Sequence, residues 1–468
     1  MSQCYQRMNN DDADEKNAGK TRFGFAKQAW QRTVGGRNRS KKWEKNMNSR
    51  ERVLATLNHQ QPDRVPVDFG GTPVTGIHVS VIDGLRKELK LDPHPVRVSE
   101  PYQMLGEVED DLVAALGIDT VQISAHKSIF GYPLEDYKPW ITPWGQTVMV
   151  PGKFNYVVDK DGDILVFPEG DTSVPPSGKM PKSSFFFDTI IRQPELPEDD
   201  DDLNPEDNLE DFGLLDAEAL DYFQRSCAEG RKSGRAVLAN IGGTAIGDIA
   251  MVPGPFLKHP KGIRDIQEWY ISTATRQDYL HQIFDRQTEI ALLNLQAVKN
   301  VAGDNIDVAF LCGNDFGTQS SQFCSRDTFS ELYMPYYKRI TGWIHQNTNW
   351  KCFKHSCGAI FGLIDLMIDA GFDILNPVQI SATGMDPVAL KSRYGKDITF
   401  WGGGVDTQKI LPFGSPAEVR AQVLQLLEIF SKDGGYVFNT VHNTQAGVPV
   451  KNFLAMIDAV HEFNGVRR

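Results

Sequence analysis

The sequence predicts an α/β fold, a (β/α)₈ TIM barrel, and three features carry that expectation. Eight short apolar runs end in or beside glycine, asparagine or another polar residue. Helical patterns separate most of these runs. Residues with acid–base and metal-binding chemistry collect at the run ends, where such a barrel keeps its active site.

The elements follow in order. Asn48-Ser49-Arg50-Glu51 reads as a helix start, with Glu51 placed to bond back to Asn48, and Pro62 ends that helix. The expected barrel strands are 64–70, 119–124, 236–242, 306–314, 350–357, 373–378, 398–403 and 436–442. Helical spacing marks 263–295, 326–345, 360–370, 387–394, 416–430 and 450–463. The long gap between the second and third strands reads as a β-rich insertion over about 140–212, covering the barrel mouth. Within it, 147–150 and 156–158 lead into the turn Asp159-Lys160-Asp161-Gly162 and then 164–167, a hairpin pattern. A Ser/Pro-rich stretch, 173–184, and an acidic run, 198–202, follow; the acidic run is expected to be a solvated loop. The barrel domain spans 48–468.

Residues 1–47 are different. They carry 11 Lys or Arg against 5 Asp or Glu, with little apolar periodicity. They are expected to be disordered, a dispensable extension before Met47 in preference to a basic arm for an acidic partner.

Composition narrows the function classes. The net charge is −12, which argues against nucleic acid and anionic membranes as general partners. No run of about 18 apolar residues is present and the N-terminus lacks an apolar leader, so a cytoplasmic location is expected. Six cysteines without framework spacing read as reduced thiols, some available to a metal.

Lys354-His355-Ser356-Cys357-Gly358 is the most specific element. Residues two apart on a strand face the same side, so His355 and Cys357 can share one zinc ion, and no fourth ligand lies in this loop. The alternative is a buried thiol beside a hydrogen-bonded histidine. His442, at the end of the last strand, is the candidate third ligand; Cys312 and Cys324 are competitors. Asp315 and Asn314 are candidate catalytic groups, Asp315 for orienting a histidine or a substrate proton, with turn capping as its other reading. Asp68, Gln379, Asp406 and Asn443 are strand-end candidates for substrate contact.

The stretch from Asn48 to Asp68, with Arg50-Glu51-Arg52-Val53-Leu54, Asn58-His59 and Pro62-Asp63-Arg64-Val65-Pro66-Val67, resembles the opening of the uroporphyrinogen decarboxylase-like superfamily. The resemblance continues through 314–335, 355–376, 402–406 and 435–452. It implies a (β/α)₈ barrel. Decarboxylases of this superfamily carry an arginine-bearing segment after the first strand, and Val67-Asp68-Phe69-Gly70-Gly71-Thr72 stands there instead. The zinc methyltransferase branch, which includes methylcobamide:coenzyme M methyltransferases, carries a His-x-Cys-Gly motif, matched by His355-Ser356-Cys357-Gly358. That branch has a later cysteine where this chain has His442. Imidazole in place of thiolate removes one negative charge and leaves a zinc more electrophilic.

The resemblance therefore implies a zinc-dependent methyltransferase that works with a corrinoid (cobalamin) on a separate small protein, since no Asp-x-His-x-x-Gly signature occurs in this chain. The other substrate is a thiol acceptor or a small-molecule methyl donor, and a homodimer is expected by analogy. A metal-free decarboxylase and a non-catalytic ligand-binding barrel are the competing expectations.

Overall fold

The computed structural model describes residues 46–209, 212–312 and 314–466, with the backbone alone of Cys312. The expected extension 1–47 thus lies almost wholly outside the described residues. Helix α1, Ser49–Leu57, begins as its sequence predicts. The Asn48 side chain accepts the Glu51 N–H at 2.8 Å, and the Glu51 carboxylate accepts the Asn48 N–H at 3.1 Å. Its apolar face sends Val53 and Leu57 into a buried cluster with Leu238, Phe310, Phe353 and Trp401. Arg52 anchors the same helix through Asp63 at 2.6 Å and Asp119 at 2.7 Å.

The centre is a curled parallel sheet whose neighbours follow the chain order. Its strands are β1 (Thr120–Ile123), β2 (Ala236–Asn240), β3 (Val308–Cys312), β4 (Lys351–His355), β5 (Ile374–Asn376), β6 (Thr399–Trp401) and β7 (Tyr436–Val437). Helices α2 (Ala217–Lys232), α3 (Gln277–Ala302), α4 (Met334–Asn347), α5 (Ile364–Asp369), α6 (Pro387–Tyr394) and α7 (Pro416–Phe430) alternate with them, and α8 (Val450–Phe463) follows β7. This is the crossover pattern that parallel pairing requires.

The expected first barrel strand, 64–70, is present only as an isolated bridge between Val67 and Phe438. Pro66 has no N–H to give a ladder, which leaves little room for regular pairing. The segment still touches both edges of the sheet. Asp68 N–H bonds the Phe438 carbonyl at 2.9 Å, and Asp119 N–H bonds the Val67 carbonyl at 2.8 Å.

Two expected helices are interrupted. The 263–295 run breaks at Arg276, at φ −129° and ψ 46°, between Ile266–Thr275 and α3. The Arg276 side chain instead binds Glu268 and Asp200, so the acidic run is partly paired rather than wholly solvated. The 326–345 run contains a π-helical stretch, Phe329–Tyr333, just before Pro335. A proline at that point cannot supply the next i→i−4 bond, and the wider turn absorbs the loss.

The β-rich part draws on more of the chain than expected. Lys138–Ile141 and Thr147–Val150 pair antiparallel, and join Val96–Glu100, Leu105–Gly106 and Ile77–His78, which precede β1. Tyr156–Val158 and Ile164–Val166 form the hairpin predicted around Asp159–Gly162, inside a second, four-stranded sheet.

Candidate metal centre

Alternation along β4 sets the geometry. Phe353 faces the interior cluster of the curled sheet, whereas Cys352 packs into the outer layer beneath the helices. His355 shares the phase of Phe353, so it points inward at the strand's C-terminal end. Pairing of β4 with β5 sets His355 opposite Asn376. The Asn376 amide donates to the Trp401 carbonyl at 2.8 Å, which turns its oxygen toward the imidazole. His355 Nδ1–H donates to that oxygen at 2.6 Å. The proton is thereby fixed on Nδ1, and Nε2 keeps a lone pair facing Cys357 Sγ at 3.4 Å.

Cys357 lies just past the end of β4. Its N–H donates to Asp315 Oδ1 at 2.7 Å, and the neighbouring Gly358 N–H donates to the Gln379 side chain at 2.7 Å. Ser356 Oγ accepts the Phe316 N–H at 2.9 Å. Gly358 has φ +90°, and a Cβ there would stand 2.2 Å from the Gly317 carbonyl carbon, so only glycine fits. The loops after β3, β4 and β5 are locked together around the thiol.

His442 completes the cluster. One ligand atom from each of His355, Cys357 and His442 lies within 4.8 Å of the others. The two rings meet edge to face, with centroids 5.1 Å apart. His442 sits at φ +69°, a left-handed conformation that a non-glycine residue adopts at some cost. Its Nδ1 accepts the Asn443 N–H at 2.8 Å. The neutral ring then carries its proton on Nε2, and offering a lone pair to a metal means giving up that contact or that proton. His442 is therefore the less prepared of the two imidazoles.

Burial lowers the pKa of His355, and the nearby Asp315 and the Asn376 bond oppose this without prevailing. Burial and then the neighbouring His355 push His442 well below the usual histidine range. Burial thus favours the neutral form of both rings, which is the form that binds metal.

The remaining candidates divide. Asp315 Oδ1 lies 3.6 Å from His355 Nε2, beside the cluster, and buried Asn314 precedes it. Gln379 holds the Gly358 loop at the same strand ends. Asp68 is fully buried; it accepts bonds from Trp401 Nε1, Thr120 Oγ1 and the Gly71 N–H. Asp406 caps the turn through the Gln408 and Lys409 N–H groups. Asn443 pins the chain at Pro73, Gly76 and Gln103. Cys324 stands outside the cluster, its thiol pushed up to about 11 by burial.

Two neighbours escaped the sequence reading. Lys354 is fully buried; its ammonium donates to the Asn314 carbonyl at 3.0 Å and lies 4.9 Å from the Phe316 ring centre. A lysine inside an apolar strand was the visible signal. Burial raises the pKa of Asp248, on the loop after β2, and the carboxylate lies in the field of Lys354, Asp315 and His355.

The uroporphyrinogen decarboxylase (URO-D) family model matches residues 254–463. Uroporphyrinogen decarboxylase of Ruthia magnifica subsp. Calyptogena magnifica is 25% identical over 195 residues, covering 40% of this chain and 50% of that protein. The enzyme of the same name from Neisseria meningitidis serogroup C is 24% identical over 267 residues, 56% of this chain and 70% of its own. The chain thus spans about half the length of the first of these curated relatives. Among solved structures, a methyltransferase from Methanosarcina mazei aligns with 89% of this chain and 99% of its own, at 15% identity and a TM-score of 0.48. Among the described residues no helix is long and apolar enough to cross a membrane.

Proposed function

We propose that this chain, whose residues 254–463 match the uroporphyrinogen decarboxylase (URO-D) family model, is a zinc-dependent methyltransferase of that superfamily. In this reading it moves a methyl group between a separate corrinoid protein and a thiol or a methoxy- or methylthio-type small molecule. The observation that carries the reading is the prepared His355–Cys357 pair, with Nε2 left open toward Sγ by the Asn376 bond.

The donor set fits zinc. Two neutral imidazoles and one thiolate are the ligand types zinc prefers, and three protein ligands leave the open position of a catalytic site. His355 and Cys357 would hold the ion, with His442 as the third ligand. Zinc bound there supplies Lewis acidity toward a sulfur or oxygen group of the small substrate. The chain's own residues do the rest. Asn376 keeps the His355 proton away from the ligand side. Asp315 fixes the Cys357 backbone. The Asp315 carboxylate, beside His355 Nε2, would orient a substrate proton. Lys354 braces the Asn314 carbonyl from behind.

The similarity to uroporphyrinogen decarboxylases favours a second reading, decarboxylation. It lacks a basic group at 67–72 to receive a substrate carboxylate, and it predicts activity that survives strong chelation. The deciding experiment measures zinc in the purified protein and in Cys357→Ser, with methyl transfer from methylcobalamin to a panel of thiols. The methyltransferase reading expects both zinc and transfer to fall together in the variant. Wild-type protein that lacks zinc, or activity indifferent to chelation, overturns it.

A further inference from the structure

A second cluster of metal-ligating side chains lies at the opposite end of β4, away from the mouth. His345 stands in the last turn of α4, Cys352 is the second residue of β4, and Asp373 immediately precedes β5. One ligand atom from each lies within 4.8 Å of the others. His345 Nε2 is 2.8 Å from Asp373 Oδ2 and 3.6 Å from Cys352 Sγ.

The arrangement is unlike a proton relay. A relay needs the carboxylate on one ring nitrogen and the thiol on the other. Here both partners converge on the same nitrogen, Nε2, and one N–H cannot serve both. Three donors facing a common point suit one ion. With zinc–sulfur and zinc–nitrogen bonds of the usual lengths, a tetrahedral site has a sulfur–nitrogen edge of about 3.5 Å. The observed 3.6 Å is close to that edge.

We propose that His345, Cys352 and Asp373 form a second divalent-cation site, with zinc as the preferred ion. It is independent of the methyl-transfer reading. Its fourth position is open to water, because the His345 side chain is 39% exposed while Cys352 is fully buried.

The chemistry balances. The ion takes up the Cys352 thiolate and the Asp373 carboxylate, and the thiol proton leaves to solvent. Two negative ligands and a neutral imidazole cancel the charge of the ion. Without one, burial and then Asp373 hold the thiol well above its ordinary pKa, so this cysteine is inert. Asp373 keeps its bond from the Cys352 N–H at 2.7 Å on a remaining lone pair. Lys351 Nζ donates to the other carboxylate oxygen, Asp373 Oδ1, at 3.2 Å and holds the carboxylate in place. His345 must move outward by a few tenths of an ångström as its hydrogen bond to Asp373 is replaced, and its exposed position allows this.

The site would join α4 to β4 and β5 at the N-terminal strand ends, the face of such sheets that serves stability. Its expected effect is therefore on unfolding.

The test uses the full chain as wild type, Cys357→Ser, His345→Gln and the Cys357→Ser/His345→Gln double variant. Each is equilibrated with zinc, desalted, assayed for bound metal and melted with and without zinc. His345→Gln is a surface change and keeps the fold intact; Cys352→Ser repeats the test from the buried side. Cys357→Ser should retain about one zinc ion per chain and melt at higher temperature with zinc. The double variant should lose both the ion and the zinc-dependent shift. Retention of that zinc in the double variant, or none in Cys357→Ser, overturns the proposal. A failure of the mouth site alone reads differently: wild type and Cys357→Ser then carry equal zinc, and His345→Gln removes it.

Discussion

One strand, β4, carries a histidine–cysteine cluster at each end, and the two differ in how the imidazole is prepared. At the mouth, His355 is fully buried and its tautomer is fixed by Asn376 through a bond of 2.6 Å. At the far end, His345 is part-exposed at a helix terminus and shares one nitrogen with a carboxylate and a thiol. The sulfur–nitrogen spacings are almost equal, 3.4 Å and 3.6 Å. Ligand types and spacing therefore do not separate a site for chemistry from a site for stability. The surroundings do: locked loops and a buried imidazole of fixed tautomer at the mouth, a part-exposed imidazole bonded directly to a carboxylate at the far end.

The largest expected effect comes from the mouth. Replacing Cys357 by serine, or His355 by alanine, should lower methyl transfer by more than about 100-fold while His345→Gln leaves it unchanged. Equal losses from both ends of β4 would erase the distinction. Next comes the outer support. Asn376→Ala should weaken zinc binding at the mouth by roughly 10–100-fold, read by competition with a coloured chelator. No weakening would show that tautomer control is unimportant.

His442→Ala should cost less zinc affinity than His355→Ala, because its Nδ1 is already committed to the Asn443 N–H. A larger loss in His442→Ala would reverse the ranking of the two rings.

His78 calibrates both clusters as a buried histidine without a metal role. Burial lowers its pKa to about 4; Nδ1 faces Ser80 and Nε2 faces the Phe185 carbonyl. The folded state keeps His78 neutral where the unfolded chain is protonated. Its contribution is fully present above pH 6.5 and is lost as pH falls toward 4, by up to about 3 kcal/mol. Urea melts at pH 7 and pH 4.5 should show this loss, and His78→Asn should flatten it.

The smallest expected effect on chemistry is Asp68→Asn. It disturbs a buried network around Trp401, Thr120 and Gly71 and should cost about 1–3 kcal/mol of stability. KM should stay as in wild type; a raised KM would return Asp68 to substrate binding.

Much of this was legible in the sequence where local rules suffice. The apolar runs of β2 to β6 announced themselves by length and by their polar ends, and the His355-Ser356-Cys357-Gly358 spacing named the mouth pair. The first expected strand was overdrawn because Pro66 limits pairing to one bridge. The break at Arg276 was hidden, since it rests on contacts with Glu268 and Asp200, the latter far away in sequence. Strands before β1 joined the five-stranded sheet through pairings that no local pattern encodes. The far-end cluster was hidden for the same reason: residues 345, 352 and 373 share no motif and meet only when α4, β4 and β5 pack.

The zinc ligands at the mouth are read most directly by X-ray absorption at the zinc edge on zinc-loaded Cys352→Ser protein, in which, of the two clusters, only the mouth pair retains a cysteine ligand. Zinc held by His355 and Cys357 gives one sulfur at about 2.3 Å with nitrogen or oxygen ligands at about 2.0–2.1 Å. A zinc shell without sulfur, or protein that holds no zinc, would contradict that assignment.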